Sequence, residues 1–157
     1  MINAVCSSRG LARVSKTPGK TRACNVYDVD GRWYLVDLPG YGFARASHQD
    51  RRAFQQLLTE YVEGRKLLAG AVWLLDIRRE PSPEDLAMGR RFAAKAVPVL
   101  AAITKADKVP RGRRQARLLS IAAAVNLPEE QAILTSTQTG EGVDDLRDSI
   151  SALVATT

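Results

Sequence analysis

Two uninterrupted apolar runs limit the folds that this chain can adopt. Ala71 to Asp76 reads AVWLLD and Val97 to Thr104 reads VPVLAAIT, and neither run alternates apolar with polar residues. A strand with this pattern is covered on both faces, as in a parallel sheet with helices on each side. Between the runs, residues 82–85 read SPED, which supplies a helix cap, a first-turn proline and acids, so we expect a helix to about Lys95.

A hairpin and a further helix are predicted before the first run. Asn25 to Val36 reads NVYDVDGRWYLV, two β-prone runs around Asp30-Gly31, the dipeptide that suits a tight two-residue turn. From Asp50 to Glu63, apolar residues recur at helical spacing, with Ser47 placed to cap the helix. The predicted inward face of this helix holds Phe54, Leu57, Leu58, Tyr61 and Val62.

The last third of the chain continues the alternation of helix and strand. A helix after the basic stretch RGRRQAR is predicted to bury Leu118, Leu119, Ile121, Ala122 and Val125. A short strand, Ala132 to Thr135, precedes a closing helix with an apolar stripe of Val143, Leu146, Ile150 and Leu153. The sequence therefore predicts a doubly wound α/β domain whose sheet is mostly parallel, with one antiparallel hairpin strand.

Composition narrows the class of partner. The 157 residues, 45% of them hydrophobic, suffice for one domain with a sizeable core. A formal net charge of +6 favours a polyanionic partner such as RNA. No stretch approaches the roughly 18 apolar residues that span a bilayer, and residues from Met1 onward lack a basic, then apolar, then small-residue pattern, so we expect no secretory leader. Cys6 and Cys24 have no metal-like spacing. We therefore expect a cytoplasmic monomer without a membrane partner.

An acid stands at the end of the second hairpin strand. Residues 35–42 read LVDLPGYG. A carboxylate at Asp37 can hold Mg²⁺ through water, and Gly40 lets backbone NH groups approach a phosphate. Ligands of such sheets gather beyond the carboxyl ends of the strands, where we also expect Asp76 and the loops after Thr104 and Thr135. The alternative is an ordinary Asp cap before a turn glycine, so this motif alone is a weak signal.

The loop after the second apolar run is more specific. Thr104-Lys105-Ala106-Asp107 follows a buried strand directly. The Asp107 carboxylate can accept hydrogen bonds from both the ring NH and the exocyclic amine of guanine, a pair that adenine does not supply. The Lys105 stem can lie over the purine face, and the small Ala106 leaves room. An exposed helix cap flanked by a lysine is the structural alternative.

Two further loops fit a nucleotide site by their position. Thr135-Ser136-Thr137 follows the last predicted strand, where backbone NH groups can meet the purine carbonyl, although any Ser/Thr-rich turn has this composition. Residues 17–21 read TPGKT. A threonine hydroxyl there can bind Mg²⁺ when a γ-phosphate is present, and the alternative is a plain Pro-Gly turn.

The motifs SKTPGKT, VDLPGYGFA, ITKADK and GVDDLRDSI occur in this order along the chain. Together they resemble the EngB-type (YihA/YsxC-type) bacterial GTPases of the TrmE-Era-EngA-EngB-Septin-like group, over essentially the whole length, and the DLPGYG tract is particularly specific to EngB. The resemblance implies a Ras-like G domain that binds GTP and Mg²⁺ as a switch. It also implies a role in assembly of the large ribosomal subunit and in normal division septation.

The resemblance also implies which residues form the site. The predicted GTP contacts are Gly19, Lys20, Thr21, Arg22, Ala23, Asp37, Leu38, Pro39, Gly40, Thr104, Lys105, Ala106, Asp107, Thr135, Ser136 and Thr137. Thr21, and Asp37 through water, are the predicted Mg²⁺ ligands. No catalytic residue is predicted. Tyr41 stands where Ras-like proteins carry a water-orienting glutamine, so hydrolysis is expected to be slow and partner-stimulated.

The chain departs from the family pattern at its start. Such GTPases open with a buried strand and a G-x-x-x-x-G-K-[ST] loop that holds the β and γ phosphates. Met1 to Val5 matches the helix after that loop, so we expect a G domain over residues 1–157 that lacks its first strand and phosphate loop. That strand belongs between those ending at Asp37 and Asp76. We expect a late-assigned start codon or a partial sequence, and weak GTP binding by these residues alone.

A non-hydrolysing ribosome- or RNA-binding module is the alternative function. Two basic groups can contact ribosomal RNA phosphates, although solvated surface is the simpler interpretation. The first group is Arg9, Arg13, Lys16, Lys20 and Arg22, and the second is Arg111, Arg113, Arg114 and Arg117. Conversely, a protein that still binds nucleotide is favoured by the retention of four residues: Thr21, Asp37, Lys105 and Asp107.

Overall fold

A computed structural model of the chain describes residues 1–12, 24–38, 56–62, 64–65 and 67–155. The chain divides into two units, Met1–Ala12 with Ala69–Thr157, and Arg13–Leu68. The described helices and strands are, in chain order, α1 (Ile2–Val5), β1 (Asn25–Val29), β2 (Trp33–Asp37), α2 (helical at residues 56–62 and 64), β3 (Ala71–Asp76), α3 (Pro83–Ala94), β4 (Val99–Thr104), α4 (Arg111–Ala124), β5 (Ala132–Leu134) and α5 (Val143–Ala155). Short 3-10 turns lie at Ala106–Lys108 and Glu129–Gln131.

The unit Arg13–Leu68 contains the predicted hairpin. β1 and β2 pair antiparallel up to Val29 and Trp33, which leaves a loop of residues 30–32, one residue longer than the predicted turn. Asp30 and Gly31 have positive φ angles of 55° and 64°. An Asp-Gly pair suits this loop because both residues tolerate the left-handed backbone.

The same unit contains part of the predicted amphipathic helix. In α2, Leu58 is buried at 5% exposure, and Leu57, Tyr61 and Val62 are half-buried, as expected for the inward face. The remaining residues of this prediction, Phe54 and the cap Ser47, lie outside the described residues.

The unit Met1–Ala12 with Ala69–Thr157 is built on the predicted parallel sheet. β4 is the central strand, parallel to β3 on one side and to β5 on the other. Three consecutive residues of β4 are 0% exposed: Ala101, Ala102 and Ile103. Because side chains alternate between the faces of a strand, both faces of β4 are covered. The α/β class with a parallel sheet and an antiparallel hairpin is confirmed.

β4 begins two residues later than predicted. The Val97 NH donates to the Phe92 carbonyl at 3.1 Å, so Val97 belongs to the turn that ends α3. Pro98 has no NH to give to a strand ladder, although its carbonyl accepts from the Ala71 NH at 2.8 Å. Regular pairing therefore starts at Val99.

Helices supply the rest of the core. Ser82 caps α3 as predicted, because its hydroxyl accepts from the Asp85 NH while the Asp85 carboxylate accepts from the Ser82 NH. The predicted inward residues that are buried in α4 and just after it, and in α5, are Leu118, Ile121, Ala122, Val125, Val143, Leu146 and Ile150, with Leu153 half-buried. Leu119 was predicted inward and is 41% exposed. It lies about 100° around the helix from Leu118, beyond the edge of the buried face. No helix among the described residues has the length and apolarity needed to cross a membrane.

Candidate functional site

The carboxyl ends of the parallel strands bring several predicted site residues together. Asp76 and Thr104 are register partners at the ends of β3 and β4, and the Thr104 hydroxyl donates to the Leu75 carbonyl at 3.0 Å. The Ala106 NH donates to the Thr135 carbonyl at 3.1 Å, which joins the loop after β4 to the loop after β5. One edge of the sheet therefore carries both loops, as the strand and helix alternation predicts.

The backbone of Lys105 turns the loop after β4. Lys105 has φ 62° and ψ 35°, a left-handed conformation that is uncommon for a residue other than glycine. A single 3-10 turn follows, Ala106–Lys108, in which Ala106 is 0% exposed. Strain of this kind costs about 1–3 kcal/mol and persists only where the surroundings impose it. Its result here is that the Asp107 side chain reaches the loop after β5.

Asp107 is the carboxylate predicted to bind guanine. Its Oδ1 accepts from the Ser136 hydroxyl at 2.7 Å, and its Oδ2 lies 2.9 Å from the Lys108 ammonium. The Ser136 hydrogen bond, followed by Lys108, lowers the pKa of Asp107 below its usual value, so the group is ionised at neutral pH. An ionised carboxylate only accepts hydrogen bonds and offers about four lone pairs, so acceptor capacity remains for a further pair of donors.

The loop after β5 fixes the Ser136 hydroxyl. Thr135 and Ser136 are 0% and 1% exposed, so this part of the predicted turn is buried rather than a solvated Ser/Thr-rich loop. The Ser136 Oγ accepts from the backbone NH groups of Gln138 and Thr139 at 3.2 and 3.3 Å. With both acceptor positions taken, the hydroxyl proton is directed to Asp107. Thr137 is exposed at the outer side of the loop.

Asp76 holds two cations at the end of β3. It accepts from the Arg78 guanidinium at 2.9 and 2.7 Å, and its Oδ2 accepts from the Lys105 ammonium at 2.8 Å. Arg78 first, and then Lys105, hold the pKa of Asp76 well below its usual range. The sequence placed Asp76 at this edge without a role. Its contact with Lys105 joins positions 29 residues apart, which no local motif indicates.

Two arginines of the second basic group form hydrogen bonds and ion pairs within the protein. Arg114 donates to Val109 and Glu141 and is 13% exposed. Arg117 donates to the Ile77 and Arg79 carbonyls and pairs with Glu80, which ties the segment after β3 to α4. The interpretation of this whole group as solvated or RNA-contacting surface is therefore wrong for these two residues. Arg111 and Arg113 are exposed, as is Arg9 of the first group. Other members of that first group, Arg13, Lys16, Lys20 and Arg22, lie outside the described residues.

Asp37 ends β2 in the unit Arg13–Leu68. It is half-buried and faces Asn25 across the hairpin. Burial raises the pKa of Asp37, an effect that a hydrogen bond from Asn25 partly offsets. Carboxylate oxygen is a ligand type that Mg²⁺ prefers, directly or through water, so the side chain of Asp37 is of the type that the predicted Mg²⁺ site needs. Leu38 follows it and is half-buried.

The other predicted phosphate and metal contacts lie outside the described residues: Gly19, Lys20, Thr21, Arg22, Ala23, Pro39 and Gly40. Among the residues that the structure describes, no three His, Cys, Asp or Glu side chains are grouped closely enough to hold a metal ion.

Known proteins resemble this chain over nearly its whole length. Residues 1–105 match the family model described as 50S ribosome-binding GTPase. A probable GTP-binding protein EngB of Syntrophomonas wolfei subsp. wolfei is 39% identical over 154 residues, covering 98% of this chain and 79% of the relative. Another from Desulfitobacterium hafniense is 36% identical over 156 residues, covering 99% and 78%.

A solved structure gives the same fold. The crystal structure of a probable GTP-binding protein engB superposes with a TM-score of 0.81, covering 99% of this chain and 91% of that chain, at 19% sequence identity. The predicted Ras-like G-domain fold is therefore confirmed.

Proposed function

The chain belongs to the EngB family of GTP-binding proteins, and we propose that it is a guanine-nucleotide switch whose base-binding group is Asp107. The observation that carries this proposal is the position of the Asp107 carboxylate, which the buried Ser136 hydroxyl fixes by a hydrogen bond of 2.7 Å. Guanine presents its ring NH and its amine side by side, which matches the two oxygens of a carboxylate. Lys108 is 58% exposed and can leave Asp107 when a base arrives.

The neighbouring residues complete the proposed base site. The Lys105 stem covers the purine face, with its ammonium held by Asp76 at 2.8 Å. Thr104 and Ala106 frame the loop. The NH groups of Thr135 and Ser136 already donate to the Ile103 and Glu141 carbonyls at 2.8 and 2.9 Å, so we propose the Thr137 NH as the donor to the purine carbonyl. The proposed phosphate and metal contacts are Gly19, Lys20, Thr21, Arg22, Ala23, Asp37, Leu38, Pro39 and Gly40.

The proposed reaction is transfer of the γ-phosphoryl group to water. The chemistry that Mg²⁺ would supply when bound is neutralisation of the charge that develops on the phosphate oxygens. Asp37 would hold the ion through water, and Asp107 and Lys105 would hold the base. Because Tyr41 has no side-chain amide to orient water, we propose slow intrinsic hydrolysis that a partner accelerates.

The proposed partner is the precursor of the large ribosomal subunit. The description of the matching family model names the 50S ribosome, and a net charge of +6 suits an RNA partner. The proposed role in division septation and the cytoplasmic location rest on the family resemblance alone.

Nucleotide competition tests the base site. The protein expressed from its full reading frame is titrated with fluorescent GDP, which is then displaced by guanosine, inosine or xanthosine diphosphate. Inosine lacks the amine, so we expect about 10- to 100-fold weaker binding, the value of one charge-assisted hydrogen bond. Asp107→Asn offers an amide NH in place of one acceptor, so its preference should move towards xanthosine, which carries an oxygen where guanine carries the amine.

A matched carboxylate on another element serves as the control. Asp148→Asn, at an exposed position of α5, should leave the order of affinities unchanged. The proposal fails if the wild-type protein binds the three diphosphates equally, or if Asp107→Ala discriminates among them as well as the wild-type protein does.

A non-hydrolysing RNA-binding module is the second candidate. It is favoured by the exposed Arg111 and Arg113 at the start of α4. Such a module binds 50S subunits equally well with GDP, with a non-hydrolysable GTP analogue and without nucleotide. A switch binds them differently in these states, because the nucleotide changes the surface that is presented.

A further inference from the structure

Arg114 contacts both loops that hold the Asp107 carboxylate in place. Its Nε donates to the Val109 carbonyl at 2.8 Å, directly after the turn Ala106–Lys108. Its Nη1 donates to the two carboxylate oxygens of Glu141 at 2.9 and 2.7 Å. Glu141 belongs to the loop after β5 and lies 27 residues further along the chain. A single side chain near the start of α4 therefore joins the two loops.

Backbone hydrogen bonds carry this contact to the site. The Ser136 NH donates to the Glu141 carbonyl at 2.9 Å, so the residue that Arg114 holds also anchors Ser136. On the other side, the Val109 NH donates to the Ala106 carbonyl at 3.1 Å, which closes the turn containing Asp107. The hydrogen bond between Ser136 and Asp107 thus lies between two segments that Arg114 holds.

We propose that Arg114 is a positioning residue for guanine recognition. It fixes the separation of the loops that carry Asp107 and Ser136, and through them the direction in which the carboxylate meets the base. This inference rests on the proposed function of Asp107. No pattern in the sequence distinguishes Arg114 from its exposed neighbours Arg111 and Arg113.

The surroundings of Arg114 suit this role. Its side chain is 13% exposed and that of Glu141 is 37% exposed, so solvent screens this pair less than a surface pair. A guanidinium is planar and carries several donors in fixed directions, so it serves a carbonyl and a carboxylate at once. A lysine ammonium at the same position satisfies either acceptor with less directional control.

Selectivity measurements test the role of Arg114. Arg114→Ala should weaken GDP binding and also reduce the preference for GDP over inosine diphosphate, each by about tenfold, which corresponds to about 1.4 kcal/mol. Arg114→Lys should fall between Arg114→Ala and the wild-type protein. Arg113→Ala removes an exposed arginine from the same helix and should change neither quantity. A purely structural arginine lowers the melting temperature and leaves the preference of the folded protein unchanged, and that result overturns the proposal.

Hydrogen exchange without nucleotide separates this inference from the proposed function. In Arg114→Ala, the amide protons of Ser136 and Gly140 should exchange about tenfold faster than in Arg113→Ala, while those of β4 keep their protection. Unchanged exchange at these amides overturns the proposed positioning even if Asp107→Asn reverses the nucleotide preference. Equal binding of all diphosphates by the wild-type protein refutes the function of Asp107 itself, and with it the recognition role of Arg114.

Discussion

At the scale of single residues, Asp76 supplies the shared negative charge for two cations of the site. Asp76→Asn keeps the shape of the side chain and removes the counter-ion of Arg78 and Lys105, whose side chains are 42% and 51% exposed. We expect the free energy of unfolding at neutral pH to fall by about 1–2 kcal/mol, since hydrogen bonds to charged groups are worth about this much and solvent screens both partners. Urea denaturation measures the difference.

The lowered pKa of Asp76 determines how the difference in free energy of unfolding between the wild-type protein and Asp76→Asn depends on pH. A carboxyl group with a lowered folded-state pKa stabilises the fold above its unfolded value of about 3.9, and this stabilisation is lost as the pH falls through that value towards the folded pKa. The free energy of unfolding of the wild-type protein should therefore exceed that of Asp76→Asn by a constant amount down to about pH 5. Below about pH 4 this difference should shrink. Asp148→Asn, an exposed control, should show no such difference. If the difference in free energy of unfolding is still undiminished at about pH 3, the lowered pKa of Asp76 is contradicted.

Residues were predictable where a short stretch of sequence defines their environment. Asp107 and Lys105 follow a buried apolar run within one tetrapeptide, and Ser136 follows a predicted strand, so each could be placed in advance. Arg114 was predicted to be surface, and Glu141 had no predicted role. Their contact depends on where α4 meets a loop 27 residues away, which local patterns do not specify.

At the scale of elements, the loop after β5 depends on one glycine. Gly142 has φ 65°, and a Cβ there would lie 1.9 Å from the Leu134 carbonyl oxygen. Gly142→Ala must displace the loop, so we expect the free energy of unfolding to fall by more than about 2 kcal/mol. Gly140→Ala is the matched control: φ is also positive, at 84°, but nothing lies within 4 Å of its Cβ. That variant should lose only about 1 kcal/mol. Equal losses in urea denaturation would show that backbone strain alone, without the steric clash, governs the loop.

Element boundaries were predicted best where the sequence pattern is strong. β3 and the Ser82 cap were predicted correctly, because a continuous apolar run and a reciprocal cap each specify one structure. The start of β4 was placed too early because Pro98 looks apolar but has no NH to donate. Leu119 was predicted inward because helical spacing alone does not define how wide the buried face is.

At the scale of the whole molecule, the fold class follows from the order of elements. Strands that alternate with helices predict a parallel sheet, and β3, β4 and β5 form one. Among the described strands, β1 and β2 form a separate two-stranded sheet. The net charge is also a property of the whole molecule. However, only basic side chains that are exposed and not bound within the protein can contact a partner.

Salt dependence tests the proposed contact of Arg111 and Arg113 with ribosomal RNA. In the second basic group, Arg111 and Arg113 are exposed, whereas Arg114 and Arg117 are bound within the molecule. Each phosphate contact adds about 0.7 to 0.9 to the slope of log affinity against log salt concentration. For the double variant Arg111→Glu, Arg113→Glu, cosedimentation with purified 50S subunits at several salt concentrations should give a slope shallower by about 1 to 2, with weaker binding at low salt.

A charge reversal on α3 separates local contact from overall charge. Arg90→Glu removes an exposed arginine from α3, and we expect it to leave the slope unchanged, because a contact made at the start of α4 does not involve α3. If Arg90→Glu lowers the slope as much per charge as the double variant does, the attraction comes from net charge alone. In that case the affinity reflects net charge, and the proposed contact of Arg111 and Arg113 with ribosomal RNA is refuted.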